Sequence, residues 1–260
     1  MNELKNKTSS LLLIYLLFLL NPVASFAQDQ SKIFSSGVAK VPLIELYTSE
    51  GCSSCPPADE WLSQLKNDTR LWQQFVPIAF HVDYWDYIGW KDPFAKRTHA
   101  LRQRRYRSEG NIKGVYTPGF VYMGQEFRAW YLHEKLPDIN WSDIGNLSVS
   151  IKNNQAKIQF NPVDNSNNLE NNKLKAHLSI LGFDLSSKIK RGENEGKILK
   201  HEFVSLENKQ SISRRKANQY QWEIDIPEKF HKSNKKLGVA VWVSATDNQQ
   251  PIQSAGAWLN

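Results

Sequence analysis

Cys52 and Cys55 are the only cysteines in the chain, three residues apart in Glu50-Gly51-Cys52-Ser53-Ser54-Cys55-Pro56-Pro57. Val41 to Thr48 ahead of them reads as a short buried strand. Pro56 to Lys66 behind them reads as a helix opening on prolines, with Ala58, Trp61, Leu62 and Leu65 on one face. The pair therefore falls at a strand-to-helix junction. A thiol in that place faces unpaired N–H groups and the positive end of the helix dipole, which favour thiolate. Cys52 is the expected nucleophile and Cys55, one turn on, the resolving thiol within disulfide reach. Two other chemistries fit the same pair. A disulfide can staple the helix start, although a four-residue loop constrains the unfolded chain weakly. Two thiolates also suit a soft ion such as Cu(I), with His81, His99 or His133 as further ligands. None of these histidines has ligand-like spacing to the cysteines, so neither a metal nor a cofactor is expected.

A second spot is Val115-Tyr116-Thr117-Pro118-Gly119, where a proline opens a buried strand and a cis Thr117–Pro118 bond would account for it. The segment Asp83 to Pro93 sets Tyr84, Trp85, Tyr87 and Trp90 among Asp83, Asp86 and Asp92. Such a loop either walls a core or forms a recognition rim, with Trp85 and Trp90 as candidates for contact with a peptide or thiol substrate. Asp83 is the candidate carboxylate for proton transfer during exchange.

These residues need a scaffold. Up to residue 145 strand and helix patterns alternate: a second strand at Val76 to Val82, a basic helix from Phe94 to Ser108, a hairpin of Gly119 to Met123 with Glu126 to Trp130, and a helix within Tyr131 to Leu136. That order makes an α/β domain over 38–145 with a mixed sheet. Beyond it, alternating β-rich runs such as Leu147 to Ile151, Lys173 to Phe183 and Leu237 to Ala245 predict a mostly antiparallel, β-sandwich-like domain over 146–260. The Asn-rich stretch from Asn161 to Asn172 reads as a surface loop.

With a Cys-x-x-Cys at a strand-to-helix junction and Thr117-Pro118 before a hairpin, the first half resembles the thioredoxin-like fold. The resemblance implies that Cys52 attacks, Cys55 resolves, and Thr117 and Pro118 shape the substrate surface. Three segments carry a closer likeness: Leu46 to Asp59 (LYTSEGCSSCPPAD), Phe80 to Phe94 (FHVDYWDYIGWKDPF) and Val115 to Pro118, continued at Arg191 to Lys197 (RGENEGK). They are similar to a family of secreted bacterial proteins, the domain of unknown function 1223 family. That likeness implies a thioredoxin-like domain with a C-terminal β domain and no established substrate.

Residues 1–27 read as a secretory leader: Lys5 and Lys7, the apolar run Leu11 to Leu20, and Ser25-Phe26-Ala27 at a cleavage site. An exported protein, periplasmic or secreted, is expected. The 260 residues, 40% hydrophobic, exclude a disordered tail or a collagen-like rod, and the net charge of +7 is basic without being extreme. Lys96 to Arg107 concentrates six cations, either a solvated helix face or a contact for the envelope surface or an acidic partner. Nucleic acid does not fit an exported chain. The functional expectation is a thiol–disulfide oxidoreductase or redox sensor whose partner is a thiol- or disulfide-containing protein or a small thiol. The alternative is a non-catalytic envelope binding protein whose Cys52–Cys55 disulfide is structural.

Overall fold

The computed structural model describes residues 31–132, 136, 142–163, 173–216 and 219–260. The expected leader, His133, half of the helix expected at Tyr131 to Leu136 and the greater part of the Asn-rich stretch lie outside the described residues. In chain order the elements are β1 (Lys32–Ser35), β2 (Leu43–Thr48), α1 (Pro56–Gln64), β3 (Val76–His81), α2 (Arg97–Ser108), β4 (Gly119–Tyr122) and β5 (Gln125–Glu126). There follow β6 (Gly145–Lys152), β7 (Gln155–Pro162), β8 (Leu174–Gly182), β9 (Leu185–Lys188), β10 (Ile198–His201), β11 (Val204–Ile212), β12 (Arg214–Lys216), β13 (Gln219–Asp225), α3 (Glu228–His231), β14 (Leu237–Ala245) and β15 (Pro251–Trp258).

β2 and β3 are buried at every position because both of their faces are covered, which is why they read as unbroken apolar runs. They pair in parallel, with Leu46 opposite Ala79, and α1 makes the crossover. α1 opens on Pro56 and Pro57, whose missing N–H groups would be unpaired there in any case. α2 begins at Arg97, not at Phe94, because Lys96 is extended and gives its N–H to the carbonyl of His81. The expected hairpin forms over Met123-Gly124, both at positive φ, as a two-residue turn requires. Its second strand is only Gln125–Glu126, shorter than expected, since the chain then turns into a 3-10 helix at Ala129–Leu132 and packs Phe127 and Trp130 on Phe120.

The fold is β-rich, with mixed and antiparallel sheets. The largest sheet has the order β15-β14-β8-β11-β3-β2-β4-β5, and a second has the order β1-β6-β7-β13-β12. β11 lies parallel to β3, joining Val204 to Ala79, so the large sheet runs without a break across the boundary expected near residue 145. Residues 31–260 accordingly form one compact unit. Residue 145 marks a change of pattern, with β6 and β7 alternating in and out, and no gap in the sheet. β14 shows how two cores share one strand. Leu237, Val239, Val241 and Val243 face a core closed by the second sheet through Leu147, Val149, Ile158 and Phe160, whereas Ala240 and Trp242 face the core under α1 and α2. The β9–β10 ribbon stands apart from both sheets and lies against α1.

Candidate functional site

Thr48 ends β2, and the chain turns twice before α1, with Cys52 N–H donating to Ser49 O and Cys55 N–H to Cys52 O. This brings the Cα atoms of Cys52 and Cys55 to 5.4 Å, and the two sulfurs are joined as a disulfide. Cys55 is the residue before the helix. The unpaired donors invoked from sequence are not there: Pro56 and Pro57 have no N–H, and Ala58 and Asp59 both donate to Cys55 O. Of the two influences expected to acidify Cys52, only the helix dipole remains. Nor is Cys52 exposed, at 1% against 0% for Cys55.

The second half of the chain pins the backbone of this loop. Asn194, fully buried, donates from Nδ2 to the carbonyls of Glu50 and Cys52, both at 2.9 Å, and accepts from Lys197 Nζ. Glu193 Oε2 accepts the N–H of Ser53 at 3.1 Å, and those bonds hold its carboxyl below the usual range. Arg191 to Lys197, a stretch without catalytic spacing in sequence, is thus the lid over the cysteine loop.

Trp85 ties the loop to its other neighbour. Its Nε1 donates to Thr117 Oγ1 at 2.7 Å, and its Cβ would stand 3.0 Å from a Cβ at position 51, so a side chain there would crowd it. Gly51 is small because Trp85 fills that space. The Thr117–Pro118 bond is cis, as the sequence predicts, and both residues are half-buried. Trp90 points its Nε1 at Glu50 Oε2, 2.7 Å away, which ties its polar tip to the interior. Asp83 is half-buried, and the buried carboxylates nearby are Glu50, Asp59 and Asp92 instead.

Those three form a cluster beside the disulfide with His81, on β3, and His201, at the end of β10. Asp92 Oδ2 meets His81 Nδ1 at 2.7 Å and accepts the N–H of Glu50, while Glu50 Oε1 meets His201 Nε2 at 3.0 Å. Asp59 accepts from Thr48 Oγ1 at 2.9 Å. Burial raises the carboxyl of Asp59 above its ordinary range, against the pull of His201 and His81. Burial works against charge on His81, but Asp92, Asp59 and Glu50 outweigh it and raise its pKa. Burial likewise opposes charge on Asp92, and His81 together with backbone N–H donors pulls its carboxyl below the ordinary range. Sequence reasoning missed Glu50, Asp59, Asp92 and His201 as a group. One sign was readable: Asp59 lies a helical turn after Cys55, next to Ala58 on the face that α1 buries.

The basic run does not form one cationic face. Arg102 is buried on Glu45, Arg105 binds Glu109 and the carbonyl of Thr246, and Lys96 donates to Leu206 O. Arg97, Arg104 and Arg107 remain exposed on one side of α2. Among the described residues no helix is long and apolar enough to cross a membrane.

No curated protein matches the chain. Two solved structures are similar to it. Protein AGR_C_4864 from Agrobacterium tumefaciens is 20% identical with a TM-score of 0.58, over 85% of this chain and 96% of that one. HBP35 of Porphyromonas gingivalis is 14% identical with a TM-score of 0.53, over 85% of this chain and 76% of that one. At such identities the likeness is one of fold. The family model "Protein of unknown function (DUF1223)" matches residues 43–244, a span that takes in the cysteine loop, the Thr117-Pro118 turn and the Asn194 lid, and the chain belongs to that family.

Proposed function

We propose that the protein is an exported thiol–disulfide oxidoreductase or redox sensor built on a thioredoxin-like arrangement of β2, α1, β3 and β4, with Cys52 as nucleophile and Cys55 as resolving thiol. The observation that carries this reading is the position of the pair. A disulfide closes across a helix start at the end of a central strand, and Trp85 links the residue before Cys52 to Thr117. In this reading a partner thiolate attacks one sulfur of the disulfide. The S–S bond breaks, a mixed disulfide forms, and the second sulfur leaves as a thiolate that takes up a proton; the partner's second thiol then completes the exchange and is oxidised. Thr117, Pro118 and Trp85 form the surface beside the pair, and Trp90 supports it through Glu50. The partner is a thiol- or disulfide-containing protein or a small thiol, and Arg97, Arg104 and Arg107 supply the side that contacts an anionic envelope surface.

Burial of both sulfurs, in a loop whose backbone Asn194 pins, favours a second reading, a non-catalytic binding protein in which the pair staples the helix start. The two separate on the reduction potential, measured by equilibration against glutathione or dithiothreitol. A value between roughly −120 and −270 mV supports exchange, and one below about −300 mV supports the staple. Cys55→Ser should accumulate Cys52-linked adducts under the first reading and remain a plain monomer under the second.

A further inference from the structure

We propose that Asp59, His81 and His201 form a binding site for a divalent first-row transition ion, with Zn2+ the ion their donor set suits. One ligand atom from each lies within 4.8 Å of the other two. The three come from α1, β3 and β10, elements that only the folded chain brings together.

The state of the two imidazoles points to a ligand. His81 gives one ring nitrogen, Nδ1, to Asp92, and His201 gives Nε2 to Glu50. The other nitrogen of each, His81 Nε2 and His201 Nδ1, is buried and has no hydrogen-bond partner. His81 is 0% and His201 2% exposed, so bulk solvent does not reach them. A neutral imidazole that donates through one nitrogen to a carboxylate presents a lone pair on the other, and metal-ligating histidines are held in this way; at His81 the ion takes the place of the proton that the surrounding carboxylates favour. Two such pairs converge here, with their rings 4.9 Å apart at 81°.

Charge and donor type agree. Three buried carboxyl groups, Glu50, Asp59 and Asp92, face two imidazoles. With both imidazoles neutral, as ligands must be, the cluster lacks positive charge, and a divalent cation restores it. Two nitrogens and one oxygen suit Zn2+ better than Cu(I), which prefers sulfur, or Ca2+ and Mg2+, which prefer oxygen throughout. An ion about 2.1 Å from each donor holds them about 3.4 Å apart, so the observed spread closes by side-chain rotations of roughly an ångström. Three protein donors leave a tetrahedral ion one further position for water. The inference does not rest on the redox reading of Cys52 and Cys55.

The test uses the purified chain with its disulfide intact, stripped by chelation during unfolding and refolded with or without one equivalent of Zn2+ or Co2+. The expected result is one Zn2+ per chain retained through desalting and a raised Tm. Co2+ should give visible absorption of tetrahedral type without a thiolate charge-transfer band. Asp59→Asn and His201→Gln should each weaken binding at least about tenfold. Cys52→Ser/Cys55→Ser should leave it unchanged. Asp59→Asn keeps the side-chain shape and decides the matter if His201→Gln does not fold. Failure of the wild-type chain to retain stoichiometric ion overturns the proposal. So does full binding by Asp59→Asn, or loss of binding in the cysteine variant alone, which would move the site to the thiols.

Discussion

Two buried polar networks flank β2, and they differ in how completely they are closed. At Glu45 the carboxylate takes Arg102 Nε and Nη2 at 2.7 and 2.9 Å, Tyr106 Oη at 2.7 Å and Tyr47 Oη at 3.0 Å. The Arg102 guanidinium also lies over Trp242, 5.0 Å from its ring centre, and Gln249 caps the carbonyl of Arg102. Burial opposes the charge on Arg102, yet Glu45 outweighs it and pushes its pKa above the ordinary value. Every polar side-chain atom of Glu45, Arg102, Tyr47 and Tyr106 has a partner. The Glu50 network is as deeply buried and holds five ionisable groups, but it leaves two ring nitrogens open. The first can be understood as structure alone; the second holds two open imidazole nitrogens among three carboxyl groups, and that combination, not an open atom by itself, leaves room for a ligand.

The largest effect should come from the closed network. Glu45→Gln strands a buried guanidinium and should cost about 3–5 kcal/mol, read as a lower urea midpoint at unchanged m. Asp59→Asn without metal should cost well under half as much, because burial already disfavours its charge. Equal losses would erase the distinction between the networks. Next in size, Asn194→Ala leaves the carbonyls of Glu50 and Cys52 unpaired and should cost about 1–3 kcal/mol. It should also speed dithiothreitol reduction of Cys52–Cys55. Unchanged reduction kinetics would show that the Arg191–Lys197 segment does not control access.

A pH effect belongs to the closed side as well. His177 is held neutral by burial, reinforced by Arg102, Lys175 and Arg105, with its pKa well below 6.5 in the folded chain. The unfolded chain takes up that proton near pH 6.5, so this stability is present above 6.5 and declines below it, by up to about 1.4 kcal/mol per pH unit. His177→Phe, which keeps an aromatic ring stacked on Trp242, should flatten the stability profile between about pH 6.5 and 5.5 relative to wild type. Parallel profiles would count against a neutral buried His177. The smallest change is expected at Glu193→Gln, which keeps an acceptor for Ser53 N–H on the surface and should leave both the urea midpoint and the reduction rate as they were.

The cysteine loop, the helix behind it and the Thr117-Pro118 turn could be read in sequence because each is local: a spacing, a pair of prolines, an apolar run ending in a polar segment. Family membership was legible for the same reason. The lid and the cluster were not. His201 and Asn194 meet Glu50 across separations of 151 and 144 residues, and no periodicity reports such a meeting. Strand lengths failed where tertiary contacts intervened, as after Glu126: Phe127 still gives its N–H to Phe120 O but packs its ring on Trp61, and the ladder ends there. β15 escaped notice because Pro251 opens it and Gly256, set against Trp72, interrupts its pattern. The residue-145 boundary reflects a true change in alternation, but β11 carries the sheet across it.

The late position of the lid imposes an order on biogenesis. Cys52 and Cys55 leave the ribosome far ahead of Asn194 and His201, and β3 cannot gain its β11 neighbour until residue 204 has followed. Until then the two thiols are open to any oxidant, reductant or isomerase the nascent chain meets. A thiol oxidant or isomerase therefore meets the pair most freely before residues 191–204 are in place, and any later exchange partner meets it with Asn194 and Glu193 already bonded to its loop.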